Sequence, residues 1–386
     1  MNQEKLRESE MPYELWLCSF PDIGNRQLLQ LTELCGGAKG VYFAGIDKWR
    51  QVLKEKQMES LKRFTESWKP ESELEKLKAK GIRLITLDDG QYPERLRVIP
   101  DAPYGLFVRG DLPGEKEPAV AVIGARDCSQ YGSFVAEKLG EVLGRYGVTV
   151  ISGMARGVDG ISQRAALDAG GRSCGVLGCG LDICYPRENR ELYDRLPDRG
   201  CLISTHPPGT PALARNFPPR NRIVSGLADA VVVVEARAKS GTLITVDMAL
   251  EQGREVYAVP GRITDRLSDG CNRLIRQGAA PLLNPEELVK ELYGLKEENG
   301  AEHLRENSAK QRRNKKCESE NVQGAGLTPE LAAVYGALEL TPGTTEEIRA
   351  RLPEAWKSVN LGACLIRLCL ENLAVQVSPG CFCGKM

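Results

Sequence analysis

Three glycine-punctuated turns and one arginine-rich stretch carry the chemistry of this chain. Gly124-Ala125-Arg126-Asp127-Cys128-Ser129 follows an apolar run and leads toward a helix. A tight turn feeding a helix N-terminus offers free N–H groups and a positive dipole to a phosphate, and Arg126 adds a planar donor fork. Ser152-Gly153-Met154-Ala155-Arg156-Gly157 repeats the arrangement, and Ser240-Gly241-Thr242 opens a further helix with hydroxyl and N–H donors. Arg215-Asn216-Phe217-Pro218-Pro219-Arg220-Asn221-Arg222 interleaves guanidinium groups, amides, a ring and rigid prolines, and no acidic residue stands between Asp198 and Asp229. That mixture suits single-stranded nucleic acid: arginines take phosphates while an aromatic face stacks an unpaired base, a face that a duplex hides. The plainer reading is that the glycines only allow positive φ and close packing, with Phe217 a core plug and the arginines helix caps.

Other chemistries are poorly provided for. G-x-G-x-x-G and G-x-x-x-x-G-K-[ST] are both absent, which disfavours dinucleotide binding and Walker-type ATP hydrolysis. His206 and His303 are the only histidines, and the carboxylates nearest the Ser240 turn, Glu235 and Asp247, have no histidine beside them in sequence, so the case for catalysis is weak. The thirteen cysteines contain no Cys-x2-Cys pair, and Cys174, Cys179 and Cys201 sit in strand-like runs as small hydrophobes. No metal and no cofactor is expected.

Six runs must position these turns: Val120-Ala121-Val122-Ile123, Val148-Thr149-Val150-Ile151, Cys174-Gly175-Val176-Leu177, Leu202-Ile203-Ser204, Val231-Val232-Val233-Val234 and Val256-Tyr257-Ala258-Val259. Near-continuous apolar strands spaced by helices predict a doubly wound, Rossmann-like parallel sheet covered on both faces, with ligands outside the carboxyl ends of its strands. The expected organisation is a helical domain over residues 1–85, resembling a SAM or helix-hairpin-helix unit. An extended Rossmann-like domain over 86–294, a charged linker over 295–326 and a small winged-helix domain over 327–386 follow it. With 52 basic and 52 acidic residues the chain as a whole gives no push toward nucleic acid, so any basic site must be local. The longest apolar runs, such as residues 230–234, are far too short to span a bilayer. The charged start predicts no signal peptide, hence a cytoplasmic protein.

Taken in order, these blocks resemble the DNA-processing protein A (DprA/Smf) family of bacteria. The resemblance rests on Tyr92-Pro93, Val122-Ile123-Gly124-Ala125-Arg126, Ser152-Gly153-Met154-Ala155-Arg156-Gly157-Val158-Asp159, Gly180-Leu181-Asp182 with Tyr185-Pro186, Asn216-Phe217-Pro218-Pro219-Arg220-Asn221-Arg222, and Ser240-Gly241-Thr242-Leu243-Ile244-Thr245. It covers about residues 90–290. It implies a homodimeric, ATP-independent single-stranded DNA binder, not an enzyme, that protects incoming strands during natural transformation. Such a protein loads RecA onto the strand, in company with single-strand-binding protein. By the same resemblance Arg126 grips a phosphate, and Arg172 in Gly170-Gly171-Arg172 is a further basic contact. Phe217, Arg220, Asn221 and Arg222 line the pocket beside Gly124, Ser152, Gly153 and Asn216, Ser240-Gly241-Thr242 closes it, and the dimer contact lies around 262–280. The chain departs from the family at Ser162-Gln163, where Ala-His is usual, and at Ser204-Thr205, where Ser-Glu is usual. Two alternatives stand beside this reading: a hydrolase cleaving an N-glycosidic bond, and a regulator sensing a small nucleotide.

Overall fold

The computed structural model of the protein describes residues 3–294, 328–338, 343–371, 373–378 and 380–384. The chain forms two units, Met1–Asn314 and Lys315–Met386. The centre of the first is a nine-stranded sheet of β1 (Arg83–Thr86), β2 (Gly105–Gly110), β3 (Ala119–Ile123), β4 (Thr149–Ser152), β5 (Ser173–Val176), β6 (Gly200–Ser204), β7 (Ala230–Val233), β8 (Glu255–Ala258) and β9 (Ala280–Pro281). Its order is β1-β2-β6-β5-β4-β3-β7-β8-β9. All six expected strands are present, each within two residues of its run. In β3 every residue is buried: Val120 and Val122 enter one hydrophobic layer, Ala119, Ala121 and Ile123 the other. A strand with no polar face needs cover on both sides, and the helices supply it.

Six helices precede the sheet: α1 (Gln3–Ser19), α2 (Asn25–Cys35), α3 (Ala38–Ala44), α4 (Ile46–Trp49), α5 (Glu55–Ser67) and α6 (Pro70–Ala79). They enclose Trp16, Leu17, Leu31, Val41 and Leu61, and Tyr104 from the sheet side joins that core. The first sheet strand begins at Arg83, ahead of the 85/86 boundary that the sequence suggests. The remaining helices of this unit are α7 (Glu94–Arg97), α8 (Gln130–Arg145), α9 (Val158–Asp168), α10 (Arg190–Arg195), α11 (Phe217–Gly226), α12 (Gly241–Glu251), α13 (Asp269–Arg276) and α14 (Pro285–Tyr293). Residues of α8, α9 and α14 pack on the layer of Val120 and Val122, those of α11, α12 and α13 on the layer of Ala121 and Ile123.

Strands β3 to β9 run parallel, whereas β2 is antiparallel to β6 and β1 to β2. The chain winds from β3 out to β6 and then returns to β7 on the other side of β3. The carboxyl ends at this reversal are where an open α/β sheet takes its ligand. Of the two departures from the family, Gln163 is wholly buried and its amide donates to Ser173 Oγ and Cys174 O, both at 3.1 Å, tying α9 to β5.

The second unit contains α15 (Pro329–Gly336), β10 (Gly343–Thr344), α16 (Thr345–Arg351), α17 (Leu361–Leu370), β11 (Ala374–Ser378) and β12 (Cys381–Gly384), with sheet order β10-β12-β11. Thr344 and Glu347 cap α16 reciprocally: the Glu347 amide donates to Thr344 Oγ1 at 3.3 Å and the Thr344 amide to Glu347 Oε2 at 2.8 Å. Leu331, Val334, Ile348, Leu365, Leu368 and Phe382 form its own core. The charged stretch 295–326 lies outside the described residues.

Candidate nucleic-acid interface

The turn after β3 directs the chain into α8, and the electrostatics at that helix end decide where an anion can sit. Ser129 caps α8, its Oγ accepting from the Gly132 amide at 3.0 Å. Glu235, at the end of β7, completes the cap: its carboxylate accepts from the Ser129 amide at 2.9 Å and from the Ser129 hydroxyl. A methyl group on Gly132 would stand 2.3 Å from Glu235 Oε2, so a side chain there would displace the Glu235 carboxylate from the cap. A buried carboxylate thus already occupies the positive end of the α8 dipole. The Ser129 amide and hydroxyl, donors that the sequence offers to a phosphate at this helix N-terminus, are therefore already engaged. Glu235 is buried, its carboxylate is engaged by Ser129, and it is not among the residues that line the cleft described next.

The free donors lie on the other turns. They surround a cleft of about 740 Å³ lined by Gly124, Arg126, Asp127, Gly153, Asp159, Tyr185, Phe217, Arg220, Asn221, Arg237, Lys239, Ser240, Gly241 and Thr242, among others. Ser240 caps α12 by accepting from the Thr242 amide at 3.2 Å, and the Thr242 hydroxyl donates to Gly124 O at 3.3 Å, which ties the α12 end to the β3 turn. Gly241 and Thr242, at the opening of α12, line the cleft.

The cleft floor holds a buried guanidinium. Arg220 donates from one terminal nitrogen to Val176 O at 2.8 Å. Burial pushes its pKa down to about 10, with the Asp159 carboxylate opposing that fall and Arg126 adding to it. Burial raises the pKa of Asp159 in turn, against the attraction of Arg220 and the Ala155 and Gly153 amides; the latter donates to Asp159 Oδ2 at 3.1 Å. Gly153 is needed because a methyl there would stand 2.0 Å from Arg220. The guanidinium carbons of Arg126 and Arg220 lie 6.0 and 5.7 Å from the centroid of the Phe217 ring, and the Tyr185 ring lies 5.5 Å from it. Arg126, Arg237 and Lys239 are exposed, and none of them forms an ion pair among the described residues. With Arg220 they give the cleft four cations against the carboxylates of Asp127 and Asp159, a local excess that the balanced whole-chain charge conceals.

Nine of the thirteen residues singled out in the sequence therefore meet in one place: Gly124, Arg126, Gly153, Phe217, Arg220, Asn221, Ser240, Gly241 and Thr242. Four do not. Ser152 is buried, its hydroxyl donating to Val122 O at 2.6 Å and pinning β4 to β3. Asn216 is buried and turned to Pro211 O at 3.5 Å. Arg222 points off the other side of α11 to Asp101, donating to its carbonyl at 3.0 Å and its carboxylate at 2.5 Å. Arg172 precedes β5, so it stands at the amino edge of the parallel sheet, the edge away from the cleft, ion-paired with Glu117 at 2.9 Å. Arg237, Lys239 and Tyr185 were not singled out. The signal for the first two was their place in the four residues before Gly241, inside a turn already marked as anion-binding.

An open α/β sheet with a cationic, aromatic-lined cleft at its strand-order reversal defines the class. The family model for DNA recombination-mediator protein A matches residues 83–293. DNA processing protein DprA of Bacillus subtilis is 42% identical over 213 residues, 55% of this chain and 72% of that protein. The DprA of Streptococcus pneumoniae is 42% identical over 203 residues, 53% of this chain and 72% of that protein. The X-ray structure of DNA processing protein A from Streptococcus pneumoniae aligns over 73% of this chain and 98% of its own length, at 33% identity and a TM-score of 0.63. The chain belongs to the DNA recombination-mediator protein A family.

Proposed function

We propose that the cleft binds single-stranded DNA and that the chain, as a recombination mediator, protects the strand and passes it to RecA without using ATP. The observation that carries the reading is the convergence of Arg126, Arg220 and two rings at one cleft with unpaired Arg237 and Lys239 on its rim. Cations that track phosphates beside an exposed ring are what unpaired nucleotides need and what a duplex cannot use. The protein works in the cytoplasm as a homodimer through its Rossmann-like domain, with single-strand-binding protein as a further partner. The first helices act as the SAM-like domain and the second unit as the winged helix.

The direct test is filter binding with labelled oligonucleotides. The reading predicts a preference for single over double strands and binding that weakens steeply with salt. Equal affinity for both forms would contradict it. The mediator role is tested by RecA filament formation on strands pre-coated with single-strand-binding protein, which the chain should accelerate without ATP hydrolysis of its own. A cleft of about 740 Å³ also has the size of a small-ligand site, so a nucleotide sensor is the second reading. Tight binding of a mononucleotide that excludes the oligonucleotide would favour it.

A further inference from the structure

We infer that Tyr185, rather than Phe217, is the ring on which the unpaired base stacks, with Phe217 serving as its mount. The inference rests on the reading of the cleft as a single-strand site. Phe217 and Tyr185 are the two aromatic residues lining that cleft. Phe217, half-buried, is the more crowded of the two rings. The guanidinium groups of Arg126 and Arg220 lie over its ring at 6.0 and 5.7 Å. On the backbone side Gly178 is so close that a methyl added there would stand 3.0 Å from the Phe217 ring. Phe217 also starts α11, where Pro218 and Pro219 hold the backbone in place.

Tyr185 is differently placed. It is 44% exposed, and its one described ring contact is the Phe217 ring, at 5.5 Å and tilted by 42°. Its hydroxyl has no hydrogen-bond partner among the described residues. A tyrosine offers a large flat face at low conformational cost, and bases stack on such faces whatever their sequence. Because Arg126 and Tyr185 abut the same ring, a nucleotide stacked on Tyr185 keeps its own phosphate near the Arg126 guanidinium. The cleft then has a division of labour: Arg126 grips the backbone, Tyr185 the base, and the half-buried Phe217 with the buried Arg220 beneath it keeps both at a fixed height.

The test is fluorescence anisotropy on the full chain with a labelled oligothymidylate and with an oligomer of the same backbone lacking its bases. Tyr185→Ala should bind the oligothymidylate about tenfold more weakly, with the salt dependence unchanged because no phosphate contact is lost. Tyr185→Phe and Tyr185→Trp should stay within about twofold of wild type, since both keep a π-face. The margin by which the wild type prefers the oligomer with bases should shrink in Tyr185→Ala. Tyr185→Leu preserves apolar packing on Phe217 without a π-face, and it should behave as Tyr185→Ala does. Wild-type affinity in Tyr185→Ala and Tyr185→Leu, or an equal loss on both oligomers, overturns the inference while the single-strand reading stands. Failure of the wild type to bind either oligomer overturns that reading and the inference with it.

Discussion

Arg222 shows how a residue that looks like a nucleic-acid contact can be spent on architecture. It reaches Asp101, a left-handed residue at φ 57°, to which Asn25 at the start of α2 also donates at 3.1 Å. Burial raises the Asp101 pKa, but the Asn25 and Arg222 hydrogen bonds and the guanidinium charge outweigh it and hold the carboxyl below its ordinary 3.8. The stability this carboxylate confers is therefore present above about pH 4 and fades as pH falls through its lowered pKa. Asp101→Ala should destabilise the protein by roughly 1–3 kcal/mol, the cost of leaving partly buried donors unpaired, as checked by urea unfolding at pH 7. The deficit relative to wild type should shrink toward pH 3. A destabilisation of the same size at both pH values would show that the carboxylate charge is not what matters. Arg222→Ala should leave the salt slope of strand binding unchanged, because that side chain touches no phosphate.

At the scale of elements, helix period and strand direction explain both what was legible and what was not. Six strands were visible because continuous burial left them no polar face, as in Ala119–Ile123. Strands β1 and β2 carry charged residues, Arg83 and Arg109, at the antiparallel margin, and β9 is two residues long, so no such run announces them. Along α11, Phe217, Arg220, Asn221 and Val224 line the cleft. A step of five residues from Phe217 carries Arg222 about 140° around the helix, so periodicity alone places it on the far face. Arg172 was misplaced for a directional reason: it precedes its strand, and the residues before parallel strands collect at the edge away from the ligand. Glu235 was legible as a carboxylate near a turn but not as the plug of α8, because Ser129 is more than a hundred residues away in sequence. Glu235→Gln should lower stability by about 1–3 kcal/mol, since a charge-assisted bond and a helix-dipole interaction are lost together. It should leave single-strand affinity within about twofold. Thermal melting and filter binding on the same preparation check both, and a loss of binding without loss of stability would return Glu235 to the site.

At the scale of the whole molecule, charge balance hides function: 52 cations and 52 anions cancel, yet the cleft keeps an excess of positive groups. The second unit shows no comparable concentration of cations on its longest described helix, α17. There α17 exposes Ile366 at 59% and Leu370 at 82% beside Arg367, a poor surface for phosphates. Because the first unit has its own cores and carries all the cleft residues, a chain ending at residue 294 should bind a single strand within about threefold of the full chain, as read by filter binding. A collapse of affinity on truncation would move the site, or part of it, to the second unit.

The central claim is that the strand lies along the carboxyl edge of the sheet, and two arginines at opposite edges test it directly. Single-strand affinity is measured across a range of salt concentrations for the wild type, Arg126→Ala and Arg172→Ala. The account predicts that Arg126→Ala binds more weakly and lowers the slope of log affinity against log salt by about 0.7, one phosphate contact on a single strand, while Arg172→Ala keeps the wild-type slope. A slope lost in Arg172→Ala and retained in Arg126→Ala would place the strand on the other edge and contradict the account.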